Sequence, residues 1–251
     1  MTASFSGLNT AEAAFDQGGS DTSSSPSALI EPERDGSDLS IFTFDRGRRT
    51  GDFFHGVLED LDFQNLEDLS EVIEAKLRTY GFSQTLHRPA INQILRQLME
   101  VTLQPGMSLR DIPKQERLTE VEFCYPLAHL TPAKLAKALG KCASLAGDVR
   151  TRMGNLRFDP VDGFMRGFID LLFRFKDRYY LIDWKSNWLG DQPGDYGIEG
   201  MQRAMLEHNY YLQYHLYTLA ADLFLQKRLP GYDYQTHFGG IYYVFLRGLN
   251  G

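Results

Sequence analysis

Two aspartates and a lysine stand out in the stretch GFIDLLFRFKDRYYLIDWKSN, residues 167–187. Asp170 interrupts one apolar run, and Asp183 and Lys185 close the next. The runs alternate with period two around Lys176-Asp177, the pattern of a β-hairpin. With a two-residue turn, Phe175 faces Arg178 and, by the same count, Asp170 faces Asp183. Ile169, Leu171 and Phe173 then line one face with Tyr180, Ile182 and Trp184. Asp170, Asp183 and Lys185 share the other face, at the end far from the turn. Lys-Asp is not the Asn-Gly of an ideal type I′ turn, and a three-residue turn shifts this register. Facing residues have Cβ atoms about 5 Å apart, where like charges repel. A shared proton, a neighbouring cation or a bound metal relieves the repulsion. The ordinary alternative is a solvated hairpin end, but two acids and an amine bounded by aromatics favour function. Hard oxygen donors suit Mg²⁺ or Mn²⁺. An amine two residues past the second acid lies about 7 Å along the same face. There it can hold an attacking hydroxide or offset charge on a phosphorane, the chemistry of metal-assisted phosphodiester hydrolysis.

Other elements must position these groups. Residues 10–40 are rich in Ser, Gly, Asp, Glu and Pro, a composition that buries too little apolar surface to fold alone. The expected organisation is a largely disordered linker over 1–41 and a folded domain over 42–251, helical over 42–115 and carrying the catalytic core over 116–251. TGDFFHGVLEDLDF has Thr50 as N-cap and a helical stripe of Phe54, Val57, Leu58 and Leu61. LEDLSEVIEAKLRTYGF is a second helix stopped by Gly81, and RPAINQILRQLMEVTL a third, stopped before Pro105. RLTEVEFCYPL is a strand ended by Pro126, with Glu120 and Glu122 read as edge charges. TPAKLAKALGK is a short helix with Thr131 as cap. Beyond the hairpin, IEGMQRAMLEHNYYLQYHLYTLAADLFLQKRL is one long helix or two, and YQTHFGGIYYVFLRG is a strand with a bulge at Gly239-Gly240. The fold class is therefore mixed α/β, a sheet flanked by helices, and the abrupt end after the last strand suggests a fragment of something longer.

An Asp on one strand followed by Asp-x-Lys on the next resembles the PD-(D/E)xK nuclease superfamily. The wider strings GFIDLLFR…RYYLIDWKSNWLG, LQYHLYTLA, YDYQTHFGGIYYVFLRG and GDFFHGVLEDLDF are similar to the nuclease domains of the RecB family, and the opening TASFSGL resembles the segment where that family leaves its helicase part and enters the nuclease linker. The resemblance implies a restriction-endonuclease-like core with Asp170, Asp183 and Lys185 catalytic. It also implies a metal held by His55, Asp170, Asp183 and the main-chain carbonyl of Trp184. Gln213 and Tyr217 match that family's QxxxY motif near the DNA. The cofactor implied is Mg²⁺, with Mn²⁺ as a substitute and Ca²⁺ as a competitor. The partners implied are single-stranded DNA, a helicase part of the same full-length chain and RecC-like and RecD-like subunits, in the bacterial cytoplasm at the nucleoid. By themselves, His55 reads as an ordinary helix histidine, and Gln213 and Tyr217 as a half-buried i, i+4 stripe. Glu59, one turn after His55, either orients the imidazole or is solvated. Tyr210, Tyr211 and Tyr214 read as core packing rather than base stacking.

Composition bounds the function. The chain has 251 residues, is 43% hydrophobic and carries a net charge of −7, which counts against a free-standing nucleic-acid binder. The charge is uneven: residues 31–71 hold twelve acids against four bases, and residues 141–185 nine bases against six acids. A motor that delivers the DNA removes the difficulty. No apolar run approaches the roughly 20 residues of a membrane helix. The two cysteines, Cys124 and Cys142, read as small buried hydrophobes and exclude a disulfide framework or the iron–sulfur cluster of the Cas4 and AddB groups. No phosphate-binding loop of the GxxxxGK[ST] type occurs, so the helicase motifs are absent. Two further readings are a catalytically silent nuclease-like module for DNA binding or scaffolding, and a glycosidase-type carboxylate pair, which has no use for Lys185.

Overall fold

Lys176 has φ 54, and this left-handed residue closes the central hairpin. A lysine there is uncommon, but a positive φ at the first turn position matches the twist of the strands it joins. In the computed structural model, which describes residues 2–3, 39–65, 69–140 and 147–249, β5 (Val161–Phe175) and β6 (Arg178–Lys185) are antiparallel. Phe175 pairs with Arg178 and Leu171 with Ile182, the register expected for a two-residue turn.

The hairpin is the middle of a five-stranded mixed sheet. β7 (Phe238–Phe245) runs parallel to β6, and the register slips at Gly239: Phe238 opposes Tyr179, but Gly240 opposes Tyr180. A Cβ on Gly239 would run into the Tyr180 ring, which is why glycine occupies the expected bulge. β4 (Arg117–Leu130) is antiparallel to β5 on its other edge. It passes through Pro126 instead of ending there, because among the described residues only β5 pairs with it and an outward edge has no need of the missing N–H. A two-residue strand, β1 (Thr2–Ala3), lies parallel beside Phe164 and Met165 of β5. Otherwise the expected linker lies outside the described residues up to residue 38. A hairpin of β2 (Thr102–Gln104) and β3 (Met107–Ser108) stands apart from the sheet.

Helices cover both faces. α1 (Arg48–Asp60), α2 (Leu69–Tyr80) and α3 (Gln84–Glu100) share a core with Leu171, Phe173, Tyr180, Ile182 and Trp184. Phe53 and Phe54 of α1 have no exposed surface; each stabilises the packing by about 2–3 kcal/mol, which holds α1 against the sheet. Thr50 is not the cap of α1. Gly47 precedes the helix, and the Thr50 hydroxyl, inside the first turn, donates to the Asp45 carbonyl at 3.0 Å. α3 starts one turn earlier than expected because Ser83 accepts the Leu86 N–H, and Pro89 sits within it. On the opposite face α4 (Pro132–Leu139), capped by Thr131 as expected, and α5 (Gly147–Gly154) flank the long α7 (Tyr210–Arg228). α6 (Ile198–Glu207) and α7 are separate helices, broken at Asn209, whose φ is 53. A single turn, α8 (Tyr234–His237), leads into β7.

One expectation about the hairpin faces is corrected. Ile169 does not pack with Leu171 and Phe173; it lies in the α7-side core with Leu172 and Leu181. β5 therefore changes side at Asp170. Opposite that point on β4, Glu120 has φ 48, and the ladder pairs Thr119–Leu171 and Val121–Ile169 flank the kink. Local distortions of this sort re-aim side chains. Cys124 is exposed rather than buried, and Cys142 lies outside the described residues.

Candidate active site

Asp170 turns into the gap where β5 and β6 separate beyond the Leu171–Ile182 pair. Its Oδ2 accepts the main-chain N–H of Trp184 at 2.7 Å, and its Oδ1 lies 3.5 Å from Nδ1 of His55, delivered by α1. In an extended strand the N–H and C=O of one residue project to the same edge, so the Trp184 carbonyl faces this gap as well. Glu120 completes the group from β4: one donor atom from each of His55, Glu120 and Asp170 lies within 4.8 Å of the others.

Asp183 and Lys185 approach from β6 towards α7. They form a buried ion pair, and Gln213 bridges both partners. Its Oε1 accepts from Lys185 Nζ at 3.0 Å, and its Nε2 donates to Asp183 Oδ1 at 3.1 Å. Asp183 Oδ2 meets the ammonium but takes no well-aligned hydrogen bond. Tyr217, one turn beyond Gln213, is buried edge-on against Phe123 at 5.7 Å.

The electrostatics follow from crowding acids in a half-dry site. Burial raises the pKa of Asp183, and Lys185 offsets part of that. Burial, then the charge of Asp170, pushes Glu120 up to about 7. Burial alone would lower His55, but its bond to Asp170 and the charges of Asp170, Asp183 and Glu120 outweigh it and push the imidazole up to about 9. The site thus holds protons that a cation can replace. The donor set fits a hard divalent ion: two carboxylates and an imidazole, those of Glu120, Asp170 and His55, converge, and the Asp183 carboxylate acts electrostatically on the same group.

Residues 32–249 match the PD-(D/E)XK nuclease superfamily. This chain belongs to that superfamily. Among similar proteins, the RecBCD enzyme subunit RecB of Escherichia coli K12 is 38% identical over 213 residues, covering 84% of the chain and 18% of the relative. The subunit of the same name from Haemophilus influenzae is 33% identical over 215 residues, 84% of the chain and 17% of the relative. That of Mycobacterium tuberculosis H37Rv is 32% identical over 250 residues, 89% of the chain and 23% of the relative. The chain therefore spans about a fifth of the length of these relatives.

In this nuclease-superfamily member the structure brings His55, Asp170, Asp183, Lys185 and Gln213 together. Glu59 is exposed, and its charge acts on Glu120, raising the pKa of that residue. Glu122 is the edge charge it was expected to be, paired with Arg166; Glu120 is not. No sequence signal located Glu120, because a long connection rather than a tight turn joins β4 to β5 and leaves their register open. Tyr210, read as core packing, and Tyr243, not singled out by the sequence, both lie at the lysine. Their rings lie 3.8 and 5.4 Å from Lys185 Nζ. His87 is a core histidine, its Nδ1 3.0 Å from the Ser83 carbonyl and its ring against Phe44 and Phe82. Among the described residues no helix is long and apolar enough to cross a membrane.

Proposed function

We propose that the chain is a divalent-metal-dependent deoxyribonuclease domain that hydrolyses phosphodiester bonds in single strands during recombination and break repair. One observation carries the reading: the His55–Glu120–Asp170 cluster stands beside a buried Asp183–Lys185 pair in a superfamily member. Asp170, Asp183, Glu120, His55 and the Trp184 carbonyl hold the cation, Mg²⁺ by donor hardness, with Mn²⁺ as substitute and Ca²⁺ as competitor. When bound, such an ion polarises the phosphoryl group and makes water a better nucleophile. The Trp184 N–H fixes the rotation of Asp170. His55 must give up its proton before its nitrogen can serve as a ligand. Lys185 presents a positive charge to the phosphate and orients the attacking water. Gln213 keeps Lys185 and Asp183 in register by accepting from one and donating to the other, and Tyr217 packs behind it. The relatives are named as RecBCD subunits. Accordingly, the single strand comes from a helicase part of a longer chain working with RecC-like and RecD-like subunits in the bacterial cytoplasm. That arrangement relieves a net charge of −7 of the need to attract DNA unaided.

The test is cleavage of an end-labelled single-stranded oligonucleotide with Mg²⁺ or Mn²⁺. Asp170→Ala, Asp183→Ala and Lys185→Ala should each reduce cutting by at least about a hundredfold while circular dichroism stays that of the parent chain. Cutting at the parent rate by any of the three refutes the assignment.

A further inference from the structure

Lys185 is almost wholly buried, and a buried ammonium needs compensation on every side. Asp183 Oδ2 and Gln213 Oε1 supply two partners. The third side is aromatic. Nζ lies 3.8 Å from the ring centroid of Tyr210 and 5.4 Å from that of Tyr243. The two rings are stacked at 5.9 Å, tilted by 24°. Both are anchored at their hydroxyls: Tyr210 donates to Asn187 Oδ1 and Tyr243 to the main-chain carbonyl of Tyr210, each at 3.1 Å. The left-handed Asn209 lets α7 start at Tyr210, so that Tyr210, Gln213 and Tyr217 follow at i, i+3 and i+7 on one helix face.

We propose that Tyr210, backed by Tyr243, is a positioning residue for Lys185, its ring face holding the ammonium beside Asp183 and Gln213 by cation–π attraction. A ring face attracts a cation through its quadrupole and does not cancel its charge. A second carboxylate in the same place would neutralise the ammonium and remove the field that the phosphate needs. The two stacked rings also fill the space on that side of Nζ. The catalytic consequence rests on the nuclease reading of Lys185; the cradle itself does not.

The experiment separates ring charge from ring shape. Tyr210→Phe is made in the 251-residue chain, and then the same ring is introduced with one, two and three fluorines, which keep its outline and progressively cancel its quadrupole. Tyr210→Phe should keep kcat on a single-stranded oligonucleotide with Mn²⁺ within about threefold, and kcat should then fall about tenfold across the fluorinated series. KM for DNA, the Mn²⁺ requirement and Tm should hold, because packing is preserved. Independently of activity, the Lys185 Cε–H signals should lie upfield through the Tyr210 ring current and return to ordinary positions in Tyr210→Leu. A series flat in kcat overturns the positioning role, and Lys185 signals without an upfield shift overturn the cradle. A parent chain that cuts no DNA with Mn²⁺ overturns the nuclease reading instead, while the ring-current measurement still decides whether the cradle exists.

Discussion

Binding of a divalent ion at this site should expel about one proton per chain at pH 7.5, and the number can be worked from the site. His55, raised to about 9, is almost wholly protonated at that pH, and Glu120, raised to about 7, roughly a quarter protonated. A coordinated imidazole nitrogen and carboxylate are both deprotonated, so Mn²⁺ displaces roughly one proton in all. With the ordinary values of 6.5 and 4.5 the release would be about 0.1, roughly tenfold smaller. The assay is Mn²⁺ titration by calorimetry in two buffers of different ionisation enthalpy, where the difference in heat gives the protons released. His55→Ala should remove most of the release. Affinity should rise about tenfold per pH unit from 7.5 to 8.5 and level off above about 9. Release near 0.1 proton, or release undiminished in His55→Ala, refutes the view that crowded acids hold a proton on the imidazole until the ion arrives.

Without divalent ions, thermal stability should decline as pH rises from about 6.5 to about 9, above the range in which the lowered pKa values of His208 and His215 act in the opposite sense. Glu120, with its folded pKa raised, favours folding while protonated, and His55⁺ contributes stability that is complete below 6.5 and lost as pH passes about 9; a melting temperature that climbs over this range contradicts the assignment. Gln213→Ala strips one partner from each of two buried charges and should lower unfolding free energy by about 2–3 kcal/mol in urea, with cleavage reduced at least about tenfold. A change under about 0.5 kcal/mol means that the bridge does not form. Arg247, 1% exposed, donates to the carbonyls of Ile41, Phe44, Asp45 and Ser186 and so ties the entry of α1 to the end of β6. Arg247→Met should destabilise by at least about 3 kcal/mol, and a loss below about 1 kcal/mol would show that water replaces those bonds.

Legibility tracked the range of the interaction. The β5–β6 register could be counted from the turn, because two residues separate the strands and Lys176 takes the positive φ that such a turn needs. The Gly239 bulge was legible because glycine pairs inside a strand have few other uses. The faces of β5 were misassigned at Ile169, since strict alternation does not foresee a kink opposite a left-handed Glu120. Thr50 looked like a cap because helix starts are read from residue type, whereas Gly47 and the buried Phe53 and Phe54 set where α1 begins.

The sequence by itself determined the chemistry of the central hairpin: two carboxylates and an amine on strands joined by a tight turn, with an i, i+4 Gln–Tyr pair downstream. These relations span a few residues, where the chain's own periodicities dictate geometry. Only the tertiary structure decided that α1 brings His55 within 3.5 Å of Asp170, that β4 supplies Glu120, and that Tyr210 and Tyr243 flank Lys185. Those groups come from elements separated by long connections. Their approach is set by packing on the two faces of the sheet, a property of the whole core that no local spacing encodes.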